Sequence, residues 1–306
     1  MPEKSTPRPR NLLFVPGNRP DMLGKAPGYG AQGLVPDLED SVPPAEKERA
    51  REAVASALPE LAVTGRPVIP RINSLSSGLA AADIHAVVGR HVTGISVGKI
   101  RSDAEIRAVD EIISQAESKA GVEQGSTGIL PWLESAAAVV NAFSICTASP
   151  RVRWVAFGAE DFTADMGIAR DVDAGRPKGG GPAGIGEAAL LYPRSAVAVA
   201  ARAAGVFALD TPYVMFRDQA GLEREAVLAR SLGFKGKLAI HPSQLETIAR
   251  IFAPAPSEIE RARRVVDVWE EAARNGKGAV SLDGEMIDVP VVERARSLLR
   301  EAGLDE

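Results

Sequence analysis

With 306 residues, 45% of them hydrophobic and 25% charged, the chain is long enough for a large core and has an ordinary soluble, globular composition. Its 36 basic and 40 acidic residues, net −4, include no long basic block and no aromatic interleaving, which argues against nucleic-acid binding. A single cysteine, Cys146, excludes an intrachain disulfide and points to a reducing, cytoplasmic setting. Residues 1–10 lack the apolar run of a signal peptide, and residues 196–209, broken by Arg202, are too short to span a membrane.

In chain order, residues 11–15 read as a first strand, stopped by Pro16-Gly17 and followed by a short helix fading toward Gly28 and Gly30. Residues 33–38 form a second strand ending in Glu39-Asp40, and Pro43-Pro44 open a helix over 45–58 where proline is tolerated. A third strand, 68–72, delivers Arg71 and Asn73. The fourth, 94–97, precedes Lys99, and Ser102 with Glu105 is a capping-box signature for a helix to about residue 119. Strands five (128–133) and six (152–157) end in Glu134 and in Glu160-Asp161, with a helix over 135–148 between them. The stretch 167–186, rich in glycine, aspartate and proline, is expected to be a long loop over an active face. A helix over 187–204 leads to strand seven (206–209, then Asp210), a helix over 222–232 to strand eight (237–240, then His241), and a closing helix follows over 243–252.

Eight strands alternating with helices, each with a polar or ionisable group just past its C-terminal end, predict an α/β fold, a TIM (β/α)8 barrel over residues 1–255. A doubly wound open sheet does not call for functional groups at every strand end. Residues 256–306 exceed the barrel. They read as an amphipathic helix (258–275), a turn region (276–284) and a last helix from about Pro290, a C-terminal helical extension expected to pack on a neighbouring subunit.

Glu134 and Asp161 end neighbouring strands, so their carboxylates are expected side by side. Burying two such groups is costly unless a cation or donors neutralise them. In a chain with 3 histidines and 1 cysteine, the fitting ion is a hard one such as Mg²⁺, which takes one or two carboxylates and leaves room for water and substrate. Neutralisation by Lys99 and Arg71 alone is the bland alternative. Arg71 is placed to grip a substrate carboxylate by a forked pair of hydrogen bonds, or to pair with Glu39 or Asp40. Glu39 and Asp40 are candidates for orienting metal-bound water. His241 suits either a general base or a hydrogen-bonded structural role. Gly179-Gly-Gly-Pro-Ala-Gly184 matches G-x-G-x-x-G but follows no strand, so it reads as loop. The cluster Asp283, Glu285 and Asp288 reads on its own as a solvated turn.

Leu13-Phe-Val-Pro-Gly-Asn-Arg-Pro-Asp-Met22, Asp37-Leu-Glu-Asp-Ser-Val42, Arg71-Ile-Asn73, Ile129-Leu-Pro-Trp-Leu-Glu134, Phe157-Gly-Ala-Glu-Asp161, Lys237-Leu-Ala-Ile-His-Pro242 and Met286-Ile-Asp-Val-Pro290 together resemble the citrate lyase beta subunit-like group of the HpcH/HpaI aldolase family, from about residue 11 to 303. The resemblance implies a TIM barrel, a homotrimer or hexamer, that binds Mg²⁺. It implies making or breaking the carbon–carbon bond of a 3-hydroxyacyl-CoA thioester of the citryl-, malyl- or citramalyl-CoA type, with a 2-oxo acid as the other partner. It gives Glu134 and Asp161 metal-ligand roles and Arg71, with Glu134, the substrate. It also makes Asp288, reaching into a neighbouring subunit's site, a catalytic candidate. Ser96-Val-Gly-Lys99 departs from the usual Leu-Pro-Lys, and residues 170–191 are longer and richer in glycine than usual. Alternatives within the same fold are a CoA-independent 4-hydroxy-2-oxo-acid aldolase and a malate synthase or thioesterase; the alternative from a different class is a non-catalytic acyl-CoA-binding subunit of a lyase complex.

Overall fold

The structure, a computed structural model, describes residues 6–169, 187–276 and 278–304. Two compact units divide it, Met1–Phe252 and Ala253–Glu306. In the first, strands β1 (Asn11–Pro16), β2 (Leu34–Asp37), β3 (Arg71–Ile72), β4 (Gly94–Val97), β5 (Gly128–Leu133), β6 (Trp154–Phe157), β7 (Phe207–Asp210) and β8 (Gly236–Ala239) pair in parallel in sequence order, and β8 closes onto β1. This is the predicted TIM barrel. Around it run α1 (Pro20–Lys25), α2 (Lys47–Leu61), α3 (Ala80–Val87), α4 (Asp103–Ala120), α5 (Ala136–Val140), α6 (Ala142–Thr147), α7 (Ala159–Asp165), α8 (Glu187–Ala204), α9 (Gln219–Leu232) and α10 (Leu245–Phe252).

Side chains alternate along a strand, so every second residue enters the barrel. Leu12, Val35, Ile69, Leu130, Trp132, Trp154, Ala156, Leu209 and Leu238 form the cluster that fills the lumen. Their neighbours Leu13, Leu34, Ile95, Ile129, Val155 and Ala208 face the helices in the larger core. The sequence is apolar on both faces of these strands because both faces are covered.

Three elements of this first unit differ from expectation. Strand three is short because Pro70 has no N–H to give the ladder. Val68 makes one bridge to Leu34, the Pro70 carbonyl accepts from the Ser96 N–H at 2.9 Å, and regular pairing is confined to Arg71–Ile72. The helix expected over 135–148 breaks into α5 and α6 at Asn141, whose side chain donates to the Arg101 carbonyl at 3.0 Å. In place of a bare strand end, residues 159–165 form α7, with Asp161 in its first turn. The capping box at α4 forms as predicted, Ser102 accepting from the Glu105 N–H and Glu105 accepting from the Ser102 N–H.

In the second unit, between α11 (Pro256–Arg274) and α12 (Val289–Glu301) in the chain, a two-stranded ribbon, β9 (Val280–Leu282) and β10 (Glu285–Ile287), begins within the stretch 276–284 read as turn and runs past it. Asp283 and Gly284 both take positive φ, 52° and 83°, as a two-residue hairpin turn of the primed type requires. Ala262, Val265, Leu282, Ile287, Val292, Ala295 and Leu299 give this unit its own core. Among the described residues no helix is long and apolar enough to cross a membrane. The G-x-G-x-x-G segment, and the expected loop from residue 170 onward, lie outside the described residues.

Candidate active site

The alternation that fills the lumen also selects what faces the C-terminal mouth. Continuing each inward series by two positions gives Phe14 and Pro16 from β1, Asp37 from β2, Arg71 from β3, Glu134 from β5, Gly158 from β6, Thr211 from β7 and Ile240 from β8. All of these line one cavity of about 420 Å³, together with Asp40, Ser41, Trp132 and the first turn of α7, which contributes Glu160 and Asp161. The expected neighbours Glu134 and Asp161 therefore share a cavity, and so do Arg71 and Asp40.

Glu134 is 5% exposed and sits where the main chains of β4 and β6 end in glycine. A Cβ on Gly158 would lie 2.5 Å from Glu134 Oε2, and one on Gly98 would lie 3.0 Å from Glu134 Oε1 and 2.8 Å from Glu39 Oε2. The carboxylate thus occupies space that side chains at either position would fill. Its Oε1 accepts the Lys99 N–H at 2.5 Å. To aim that N–H inward, Lys99 takes φ +60°, a left-handed conformation that strains a residue with a Cβ and tends to persist at functional sites. Burial, and then the charge of Asp161, push the Glu134 carboxyl up to about 8.

Arg71 is held by a residue the motif reading did not single out. Its Nε and Nη2 donate to Asp37 Oδ1 and Oδ2 at 2.6 and 2.7 Å, and its Nη1 donates to Asp40 at 3.0 Å. The guanidinium carbon lies 4.7 Å from the Phe14 ring centroid and 6.0 Å from that of Trp132. The side-on fork expected to grip substrate is therefore spent on Asp37, and the Nη1 end is what faces Asp40 and Glu39. Burial opposes the Asp37 charge, but Arg71 outweighs it and keeps this carboxyl below the usual range. Glu39 is the opposite case. It is buried, neither oxygen has a hydrogen-bond partner, and Arg71 Nη1 and Lys99 Nζ stand 3.4 Å away. Burial raises its carboxyl, with Asp40 and Asp37 adding to that effect against Arg71 and Lys99. Lys99 Nζ also reaches Asp40 at 3.3 Å.

These donors fit a hard cation. They are all oxygen, they carry excess negative charge, and Glu39 offers two buried oxygens without hydrogen-bond partners beside the Glu134 cradle. Among the described residues no group of three or more histidine, cysteine, aspartate or glutamate side chains has the arrangement of an all-protein metal cage. A site with one or two carboxylates, completed by water and substrate, is the kind Mg²⁺ accepts.

Residues 10–242 match the model of the HpcH/HpaI aldolase/citrate lyase family. The chain belongs to that family. Citrate lyase subunit beta of Leuconostoc mesenteroides subsp. cremoris is 37% identical over 293 residues, covering 96% of this chain and 93% of that protein. The mitochondrial citramalyl-CoA lyase of Mus musculus is 32% identical over 306 residues, covering 97% and 86%. The solved structure of CitE from Mycobacterium tuberculosis in complex with magnesium, acetoacetate and coenzyme A matches with a TM-score of 0.74 at 30% identity, covering 97% of this chain and 98% of that one.

Of the residues singled out by family resemblance, the structure gathers Arg71, Glu134 and Asp161 at the mouth, with Glu39, Asp40 and Lys99 around them. Asp288 lies in the second unit, where it caps α12 by accepting the Val291 N–H at 3.4 Å. His241 takes the structural alternative. Its Nδ1 bonds Ser243, its ring stacks on Phe216 at 4.9 Å, and it caps a single 3-10 turn. Arg194, Asp210, Glu225 and Lys237 form a wholly buried ionic quartet from four different elements; Asp210, expected just past strand seven on the active face, ends β7 and meets this quartet instead of the cavity.

Proposed function

We propose that this family member, an enzyme of the lyase class, is a Mg²⁺-dependent carbon–carbon lyase. Its substrate would be a 3-hydroxyacyl-CoA thioester of the citryl-, malyl- or citramalyl-CoA type, cleaved to an acyl-CoA and a 2-oxo acid. The observation that carries the reading is the Glu134 carboxylate, held between two glycines beside Asp161 and beside Glu39, whose oxygens lack hydrogen-bond partners, within one cavity with Arg71. A lyase from the same family and a related CitE crystallised with magnesium, acetoacetate and coenzyme A support it.

Glu134 and Asp161 are the residues that would hold Mg²⁺, with Glu39 and Asp40 orienting its water. When bound there, the ion supplies Lewis-acid polarisation of the substrate oxygens. Arg71 Nη1 and Glu134 hold the end of the substrate that leaves as the 2-oxo acid, fixing the angle at which its bond breaks. A base takes the hydroxyl proton and that oxygen becomes the keto oxygen, while the electron pair of the broken bond stays on the carbon next to the thioester. That carbon then takes a proton, for which Asp288 of a neighbouring copy is the proposed donor, in a homotrimer or hexamer whose C-terminal extension packs on the next barrel. Phe14, Trp132, Pro212 and Val214 give the mouth apolar walls that keep water from the reacting carbon.

The test is turnover of citryl-, malyl- and citramalyl-CoA beside free 4-hydroxy-2-oxo acids, with and without Mg²⁺. Cleavage is expected only of thioesters and only with the ion, and Asp161→Ala should lower kcat at least ~100-fold. Undiminished turnover in that variant removes the metal from the mechanism. Turnover of free acids alone makes the chain an aldolase, and no turnover at all leaves it an acyl-CoA-binding subunit.

A further inference from the structure

We propose that Asp37 is the positioning residue that aims Arg71, so that the Nη1 end alone meets the substrate; this rests on the lyase reading above. Asp37 is 1% exposed and stands opposite Arg71 in the β2–β3 register, where the Leu38 N–H donates to the Arg71 carbonyl at 2.8 Å. Its carboxylate accepts from four donors. Oδ1 takes Arg71 Nε at 2.6 Å and the Glu39 N–H at 2.9 Å, and Oδ2 takes Arg71 Nη2 at 2.7 Å and the Ser41 N–H at 3.1 Å.

One buried group therefore ties together the guanidinium and the loop that carries Glu39 and Asp40. A guanidinium on a long stem has many rotamers, and two parallel hydrogen bonds to a fixed carboxylate select one of them. The Phe14 and Trp132 rings close the space around it. Asparagine is nearly the same size, but it has one acceptor oxygen and places an N–H₂ against the second guanidinium nitrogen, so it cannot reproduce the fork.

Asp37→Asn tests the assignment, read by calorimetric titration with pyruvate in the presence of Mg²⁺ and by thioester kinetics. We expect a cooperatively melting protein that binds pyruvate about 10- to 100-fold more weakly. Thioester KM should rise by a like factor with kcat within about threefold, the pattern of lost binding that ground and transition states share. A second arm does not depend on that variant folding. In Arg71→Ala, millimolar guanidinium should occupy the vacated place against Asp37 and restore pyruvate binding, and the Arg71→Ala/Asp37→Asn pair should not respond. Wild-type pyruvate affinity in Asp37→Asn, or guanidinium that fails to rescue Arg71→Ala or rescues the pair equally, overturns the assignment. If the wild-type protein binds no 2-oxo acid, the lyase reading fails and the assignment falls with it, an outcome separate from those.

Discussion

At the scale of single residues, the proposed ion site turns on the protonation of one carboxyl group. The Glu134 carboxyl, raised to about 8 by burial and by Asp161, holds its proton at pH 7 in the absence of a cation. Uptake of Mg²⁺ requires the ionised form, so binding at pH 7 should release up to about one proton, and affinity should climb with pH until it levels off above about 8. Calorimetry in buffers of different ionisation enthalpy measures that proton directly; none released would mean that Glu134 is not a ligand. The same shift fixes the sign for stability. Between the unfolded value of 4.5 and about 8 the folded chain holds a proton that the unfolded chain has lost, so this group's stability contribution is full below 4.5 and falls as pH rises toward 8. Glu134→Gln should therefore stabilise the metal-free protein at pH 8 by on the order of 1–3 kcal/mol while abolishing any melting shift on adding Mg²⁺. Glu134 was legible in the sequence because an apolar strand that ends in an acid points that acid along its own inward row. Asp37 was not. It lies one strand from its partner, and only the β2–β3 register brings a carboxylate fork onto Arg71. The left-handed backbone of Lys99 was hidden as well, since no local pattern marks a lysine for positive φ.

At the scale of elements, four ionic side chains fasten two helices to the barrel wall. Arg194 on α8 meets Asp210 at 2.9 Å and Glu225 on α9 at 2.8 Å, and Lys237 on β8 meets both acids at 2.6 Å. All four are buried, with two charges of each sign. Burial works against the Asp210 charge, but Arg194 and Lys237 prevail and keep this carboxyl below the usual range. Removing one member leaves a surplus charge in a low-dielectric layer, so Lys237→Met should cost about 3–5 kcal/mol, measurable by denaturant unfolding. Lys237→Met/Glu225→Met removes one charge of each sign and keeps the Arg194–Asp210 pair. It should recover most of that loss, and a double variant no more stable than the single one would show that charge balance is not what matters. The strands and most helices were legible because apolar runs and capping residues are local signals, such as Ser102 and Glu105 at α4. Elements whose form depends on distant partners were not. The split of α5 from α6 answers to the Arg101 carbonyl, whereas the truncation of β3 follows from Pro70, a local signal within the strand itself. The hairpin of β9 and β10 did carry a local signal, Asp283-Gly284, beneath a charge cluster that reads as an exposed turn.

At the scale of the whole molecule, the barrel and the C-terminal unit each have their own core, and the residues proposed for one reaction are divided between them. Arg71, Glu134 and Asp161 belong to the first unit and Asp288 to the second, where the cap it makes to α12 is a single long hydrogen bond at 3.4 Å. A cap of that kind is worth about 1 kcal/mol, so Asp288→Asn, which can still cap, should leave stability nearly unchanged while lowering turnover. Whether Asp288 acts within its own chain or on a neighbour is a question of symmetry, and mixing variants answers it. Asp161→Ala and Asp288→Ala should each be inactive as homo-oligomers. In a ring where each barrel takes its acid from the next copy, a site regains all its groups when an Asp288→Ala barrel lies beside an Asp161→Ala neighbour, the former intact at residue 161 and the latter at residue 288. Random reassembly of equal amounts creates that pairing at about a quarter of the sites, so mixing under dissociating conditions should restore about that share of wild-type activity. If Asp288 serves its own barrel, no pairing of these two chains rebuilds a site, and the mixture stays as inactive as its parts.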